Sequence, residues 1–136
     1  MKKYLTQYTD FLNKIYDDKE IRDITFQVTE DCNLKCSYCY QINKTHNRMN
    51  FETAKKFIDY IFECRTKKNT FFSEENVSGL VINFIGGEPF LEIELIEKIV
   101  EYFELKFLEC QESPWFLEHI YSFTSNGTLY FTDKVQ

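Results

Sequence analysis

"ITFQVTEDCNLKCSYCY", residues 24 to 40, begins as a strand and ends as a cluster of thiols. Ile24, Phe26 and Val28 alternate with Thr25, Gln27 and Thr29, which is the two-residue period of a strand with one buried face. The strand runs directly into Cys32, Cys36 and Cys39. Only two other cysteines exist in the 136 residues, Cys64 and Cys110. A strand that delivers three thiols to its own end sets the fold question and the functional question together.

The flanking sequence repeats the pattern of strand then helix. After the cysteine loop, Asn50 is a suitable N-cap and Glu52 suits the first helical turn. Phe51, Ala54, Phe57, Ile58, Ile61 and Phe62 then recur at helical spacing. "KKNTFFSEENVS", residues 67–78, is polar and irregular and reads as a surface loop. Leu80 to Ile85 is a nearly continuous apolar run, expected of a strand covered on both faces. It stops at Gly86-Gly87. Pro89 then precedes a long helix from about Leu91 to Cys110, with Ile96, Ile99, Val100, Phe103 and Phe107 as its apolar stripe. Glu92 to Glu104 on this helix read as a solvated acidic face. Pro114 breaks the pattern, and Trp115 beside it reads as a packing anchor. "HIYSFTSNG" is a third strand candidate, closed at Asn126-Gly127. Upstream, Tyr4, Leu5, Tyr8, Phe11, Leu12, Ile15 and Tyr16 predict an amphipathic helix over 4–16.

Strands that alternate with helices predict parallel pairing through crossover connections, hence an α/β fold. Functional groups in such folds collect where strands end. "DCNLKCSYCY", "GGEP" and "SNG" each follow a strand, so all three belong at one end of the sheet. The length suits one domain with a real core. Hydrophobic residues make up 43% of the chain, too many for a disordered segment. The net charge of −6 argues against a nucleic-acid surface, which needs clustered Lys and Arg. No apolar stretch approaches the roughly 18 residues of a membrane span. The N-terminus lacks a signal-peptide apolar run, so the expected compartment is the cytoplasm. In a reducing compartment a tight cysteine cluster points to a metal or redox centre rather than a disulfide framework.

Three thiolates suit zinc or iron–sulfur chemistry. For zinc, His46 is the candidate fourth ligand, although the chain offers no second ligand pair. A four-cysteine cluster finds no fourth thiol, because Cys64 and Cys110 fall in predicted helices, where the plain reading is a small buried apolar residue. A 4Fe–4S cluster held through three irons, with one coordination position open, accounts for the missing ligand.

Cys32-x-x-x-Cys36-x-x-Cys39 with Tyr38 before the last cysteine resembles the signature of the radical S-adenosylmethionine superfamily. "GGEP" at Gly86 to Pro89 resembles that family's glycine-rich element, and "SNGT" at Ser125 to Thr128 resembles the element after its third strand. The resemblance covers roughly residues 20–136 and looks like the peptide-modifying branch, which includes thioether-forming maturases. It implies the N-terminal half of an open (β/α)6 partial TIM barrel, with three parallel strands and crossover helices. The implied domains are an N-terminal helix, 1–20, and an incomplete core, 21–136. The implied cofactors are a 4Fe–4S cluster on Cys32, Cys36 and Cys39 and S-adenosylmethionine at the open iron. Tyr38 would lie beside the adenine, Gly86 and Gly87 near the methionyl end, Glu88 at its ammonium, and Ser125 and Asn126 at the ribose. The implied reaction is reductive cleavage to a 5′-deoxyadenosyl radical that abstracts hydrogen from a peptide, such as a cysteine-rich precursor, with a flavodoxin- or ferredoxin-type electron donor. A unit of strand plus helix takes about 30 residues, so six units need about 180 or more. The chain is therefore expected to be a truncation or fragment with little or no turnover alone, and the alternative is a non-catalytic iron–sulfur or zinc-binding module.

Overall fold

A computed structural model describes residues 21–133 and 135; the helix predicted over 4–16 lies outside the described residues. Strand β1 spans Ile21–Thr29, helix α1 Phe51–Arg65, strand β2 Gly79–Gly86, helix α2 Ile93–Glu109 and strand β3 His119–Phe123. Short 3-10 turns at Pro89–Glu92 and Pro114–Phe116 lead into α2 and β3. The three strands form one parallel sheet in sequence order, β1-β2-β3. The fold is α/β, as the alternation predicts.

Both helices lie on one face of the sheet. Ile24, Phe26, Val28, Leu80, Ile82 and Phe84 form a single core cluster with Ala54, Ile58 and Ile61 of α1 and Ile96, Ile99, Phe103 and Phe107 of α2. Burial of this apolar surface is the main stabilising term. Aromatic rings interlock through it: Phe26 meets Phe84 in a stack and Phe103 edge-on, both with centroids 5.9 Å apart. Trp115 is fully buried, and its indole N–H donates to the Val77 carbonyl at 2.8 Å. It is the packing anchor that the sequence suggests.

Three local expectations need correction. The run Leu80 to Ile85 is not equally covered on both faces: Asn83 and Ile85 are only half-buried, and the Asn83 amide donates to Asp23 Oδ1 at 2.9 Å. The sheet's second face is therefore partly open and polar, with Asp23, Thr25 and Gln27 exposed on it. Thr29 does not continue the exposed row. The β1–β2 register shifts between Gln27 and Thr29, so Val28 and Thr29 are both buried. A bulge of this kind re-aims side chains beside a site. The 67–78 segment is not only surface, because Phe72, Ser73 and Val77 are buried.

Capping follows the sequence. Asn50 Oδ1 accepts from the Glu52 N–H at 2.7 Å at the start of α1. Across the helices, Asp59 Oδ1 accepts from the Tyr102 hydroxyl at 2.6 Å and from Lys106 Nζ at 3.0 Å. The Tyr102 bond, with Lys106 adding to it against desolvation, holds the Asp59 carboxyl below its ordinary value. A depressed folded-state value contributes stability that is present above the unfolded pKa and is lost as pH falls through the folded one. We therefore expect Asp59→Asn to be less stable than the parent at pH 7, with the difference shrinking below about pH 4. Urea unfolding at pH 7 and pH 3 checks this; an equal difference at both pH values would exclude the linkage. Phe103→Ala, which empties a site touched by both helices and the sheet, should cost about 3–5 kcal/mol in the same assay.

Candidate iron–sulfur site

Parallel pairing sets the ends of β1, β2 and β3 side by side, and their three loops meet there. The cysteine loop is closed at its base. Glu30 N–H donates to Asn47 O at 3.0 Å, Met49 N–H donates to Val28 O at 2.9 Å, and the Asn47 amide donates to Glu30 Oε2 at 3.1 Å. Within the loop, Asp31 N–H donates to Thr29 Oγ1 at 3.0 Å and Cys32 N–H donates to Asp31 Oδ1 at 2.9 Å. Cys39 N–H donates to Cys36 O at 3.2 Å, closing the turn between those two cysteines.

Cys32, Cys36 and Cys39 are all free thiols and half-buried. Cys36 and Cys39 line a cavity of about 450 Å³ together with Lys35, Ser37 and Lys44. Cys32 Sγ accepts from Leu34 N–H at 3.4 Å, with Asn126 Nδ2 3.9 Å away. Lys44 Nζ donates to Leu34 O at 2.7 Å, inside the spacer between the first two cysteines. Desolvation disfavours the Lys44 charge, yet the hydrogen bond with Cys32 and the fields of Cys39 and Cys36 outweigh it and hold the ammonium above its ordinary value. Among the described residues, no group of three His, Cys, Asp or Glu side chains is arranged to hold a metal ion, so the loop carries the donors without a closed ligand set. Three soft donors spread over one short loop, beside a cavity and a cation, are the donor set that an iron–sulfur cube takes.

The second loop packs on the first through backbone. Gly87 N–H donates to Thr29 O at 3.0 Å and Glu88 N–H to Asp31 O at 2.8 Å. A β-carbon on Gly87 would stand 2.2 Å from Asp31 O, and one on Gly86 would stand 2.6 Å from Thr29 O. These glycines are required for the close approach of the two loops, quite apart from any ligand.

Glu88 is fully buried. Its Oε1 accepts from Ser125 Oγ at 2.8 Å and from Phe90 N–H at 3.1 Å; its Oε2 accepts from Asn126 N–H at 2.8 Å. The carboxylate is consumed in joining the second loop to the third. Asn126 is similarly occupied: Oδ1 accepts from Thr128 N–H at 3.0 Å and Thr128 Oγ1 at 2.7 Å, and Nδ2 donates to Asn33 Oδ1 at 2.9 Å. Asn33 Nδ2 in turn donates to Thr128 Oγ1 at 2.7 Å. Ser125 Oγ also accepts from Gly127 N–H at 2.9 Å. Gly127 sits at φ +76°, a turn conformation that glycine adopts freely.

The structure thus brings Cys32, Cys36, Cys39, Gly86, Gly87, Glu88, Ser125 and Asn126 to one end of the sheet. Tyr38 projects from the cysteine loop and is 88% exposed. His46 is turned to Asp31, with Nδ1 2.9 Å from Oδ2, and this bond holds the Asp31 carboxyl below its ordinary range. Cys64 and Cys110 are buried, on α1 and at the end of α2, and burial pushes the Cys110 thiol up. Sequence reasoning missed Asn33, Lys44 and the inward turn of Glu88. None carries a periodic or spacing signal. The acidic face of α2 is also less uniform than predicted: Glu92 pairs with Arg48 at 3.0 Å, and Glu104 accepts from the Tyr121 hydroxyl at 2.6 Å.

The family model described as "4Fe-4S single cluster domain" matches residues 20–125. The chain belongs to that family. This 4Fe-4S single cluster domain is 35% identical over 109 residues to an uncharacterized protein of Methanocaldococcus jannaschii, MJ0907, covering 80% of this chain and 32% of that protein. It is 27% identical over 134 residues to the radical SAM cyclopropyl synthase TigE of Paramaledivibacter caminithermalis, covering 91% of this chain and 26% of that protein. It is 31% identical over 84 residues to the S-adenosylmethionine-dependent nucleotide dehydratase RSAD2 of Siniperca chuatsi, covering 60% of this chain and 20% of that protein. The chain spans about a third or less of the length of these curated relatives. The family match and these relatives support the radical S-adenosylmethionine superfamily. No helix among the described residues is long and apolar enough to cross a membrane.

Glu88→Gln keeps the shape of the side chain but sets an NH2 group against donors that need acceptors. We expect it to cost about 1–3 kcal/mol and to speed hydrogen exchange at the Asn126 amide. Amide exchange followed by NMR checks the second effect; an unchanged Asn126 rate would show that the carboxylate does not hold the third loop.

Proposed function

We propose that this chain is the cluster- and cofactor-binding part of a radical S-adenosylmethionine enzyme, with Cys32, Cys36 and Cys39 as the iron ligands. The observation that carries the reading is that one closed loop carries three free thiols and packs at the strand ends against the GGEP and SNGT loops. When bound there, a 4Fe–4S cluster supplies one electron for cleavage of S-adenosylmethionine to methionine and a 5′-deoxyadenosyl radical that abstracts hydrogen.

The chain's own residues do the positioning. Thr29 and Asp31 bond to backbone N–H groups at the start of the loop and fix the approach to Cys32. Glu88 ties the second and third loops together beneath it. Tyr38, exposed on the cysteine loop, would cover an adenine. The adjacent backbone of Gly86 and Gly87 suits the methionyl end. The side chains of Glu88, Ser125 and Asn126 are engaged with one another, so their contribution to ligand binding is to shape the site, leaving backbone groups to meet the ligand.

The wider architecture fits an open (β/α)6 partial barrel. Parallel strands in sequence order with both helices on one face suit such a wall, in which the polar open face of Asp23, Thr25, Gln27 and Asn83 would turn inward. In this reading residues 21–136 belong to the core, and the substrate is a peptide undergoing maturation, such as thioether formation. A small electron-transfer protein of flavodoxin or ferredoxin type would reduce the cluster.

Anaerobic reconstitution with iron and sulfide tests the reading. We expect about four irons per chain, a broad absorbance characteristic of iron–sulfur centres, and loss of both in Cys36→Ala. Zinc uptake without colour would exclude it. A cluster that leaves S-adenosylmethionine intact in the full-length protein under dithionite would favour a non-catalytic cluster module.

A further inference from the structure

We propose that Lys44 is a positioning residue of the cluster site: its ammonium, anchored on the cysteine loop, supplies the fixed positive charge that sets the reduction potential of the bound cluster. The inference rests on the cluster reading given above. Lys44 stands five residues beyond Cys39 and matches no motif, yet the fold returns it to the centre of the cysteine loop. Its Nζ donates to Leu34 O at 2.7 Å, between Cys32 and Cys36. It also lines the cavity that Cys36 and Cys39 line. As a residue Lys44 is half-buried, whereas Lys35 on the same loop is exposed, so the bonded Lys44 is the more fixed of the two cations.

Apart from the exposed Lys35, the loop's other charges are already engaged, Arg48 with Glu92 among them. Asp31 pairs with His46, and the Glu30 carboxylate takes hydrogen bonds from Thr45 and Asn47. Lys44, bonded to the loop backbone and lining the cavity beside Cys36 and Cys39, is the loop's anchored cation next to the sulfurs, while Lys35 lines the same cavity from an exposed position. Three thiolates around a 4Fe–4S core give net negative charge, and one added electron increases it. A fixed cation nearby stabilises the reduced form more than the oxidised form, because Coulomb energy scales with the charge it meets. Net charge and hydrogen bonding to the sulfurs are main determinants of cluster potential. A lysine bonded to the loop backbone keeps that charge at a constant distance.

The test uses full-length protein reconstituted anaerobically with iron and sulfide and titrated with dithionite under EPR, without S-adenosylmethionine. Lys44→Met should retain about four irons and shift the midpoint to lower potential. A tenfold loss in the reduction equilibrium, the expected order, is about 59 mV for a one-electron couple. Lys44→Arg should restore the wild-type midpoint, which a purely steric role for lysine would not produce. If Lys44→Met folds but loses iron, Lys44→Gln and Lys44→Arg decide: iron retained only with Arg supports the charge, and iron lost in both overturns the proposal. A wild-type midpoint in Lys44→Met also overturns it, including the case where S-adenosylmethionine binding weakens, which would assign Lys44 to the ligand. Wild-type protein that takes up no cluster overturns the proposed function and this inference together, whereas an unchanged midpoint in a loaded variant overturns this inference alone.

Discussion

A buried carboxylate holds the functional end of this protein together. Glu88 is removed from water, and its two oxygens take hydrogen bonds from Ser125 Oγ, Asn126 N–H and Phe90 N–H. A buried ionisable group is tolerated only when its acceptor capacity is met, and the penalty for leaving it unmet is large. The constraint works in both directions. The third loop must stay where it is to satisfy Glu88, and Glu88 must stay where it is because its backbone N–H is bonded to Asp31 O at 2.8 Å on the cysteine loop. One residue thereby fixes the relative positions of the three strand ends.

From that joint the rest follows outward. Asn126, held by its backbone to Glu88, reaches Asn33 with its amide and approaches Cys32. Thr128 closes the same network from the other side. The cysteine loop is therefore clamped at its base by Glu30 and Asn47 and along its flank by the third loop. Clamping matters for a site that binds a metal cluster. Three ligands on a short loop hold a cube more tightly if the loop is ordered beforehand, since ordering backbone costs about 1–2 kcal/mol per residue.

Much of this was legible in the sequence, and the reason is periodicity. The two-residue alternation of Ile24, Phe26 and Val28 and the helical stripes of α1 and α2 report local geometry that tertiary packing then uses without alteration. The cysteine spacing was legible because three thiols in eight positions are rare in any ordinary loop. Other features had no local signal. The apolar run of β2 predicted cover on both faces, but the helices lie on one side, leaving Asn83 to pair with Asp23 on the other. Phe72 and Val77 reach the core from a stretch whose composition is polar. Glu88 reads from sequence as a group free for a ligand; its partners lie 37 and 38 residues further along the chain.

The sequence by itself determined the α/β order, the strand that ends in thiols, and the donor chemistry of those thiols, because each is a property of neighbouring residues. Only the tertiary structure decided that Glu88 faces inward, that Gly86 and Gly87 serve the packing of one loop on another, and that Lys44 returns to the cysteine loop. Those are contacts between segments distant in sequence. Their energy depends on distances that no local pattern encodes, and parallel pairing of three strand ends is what brings them within reach.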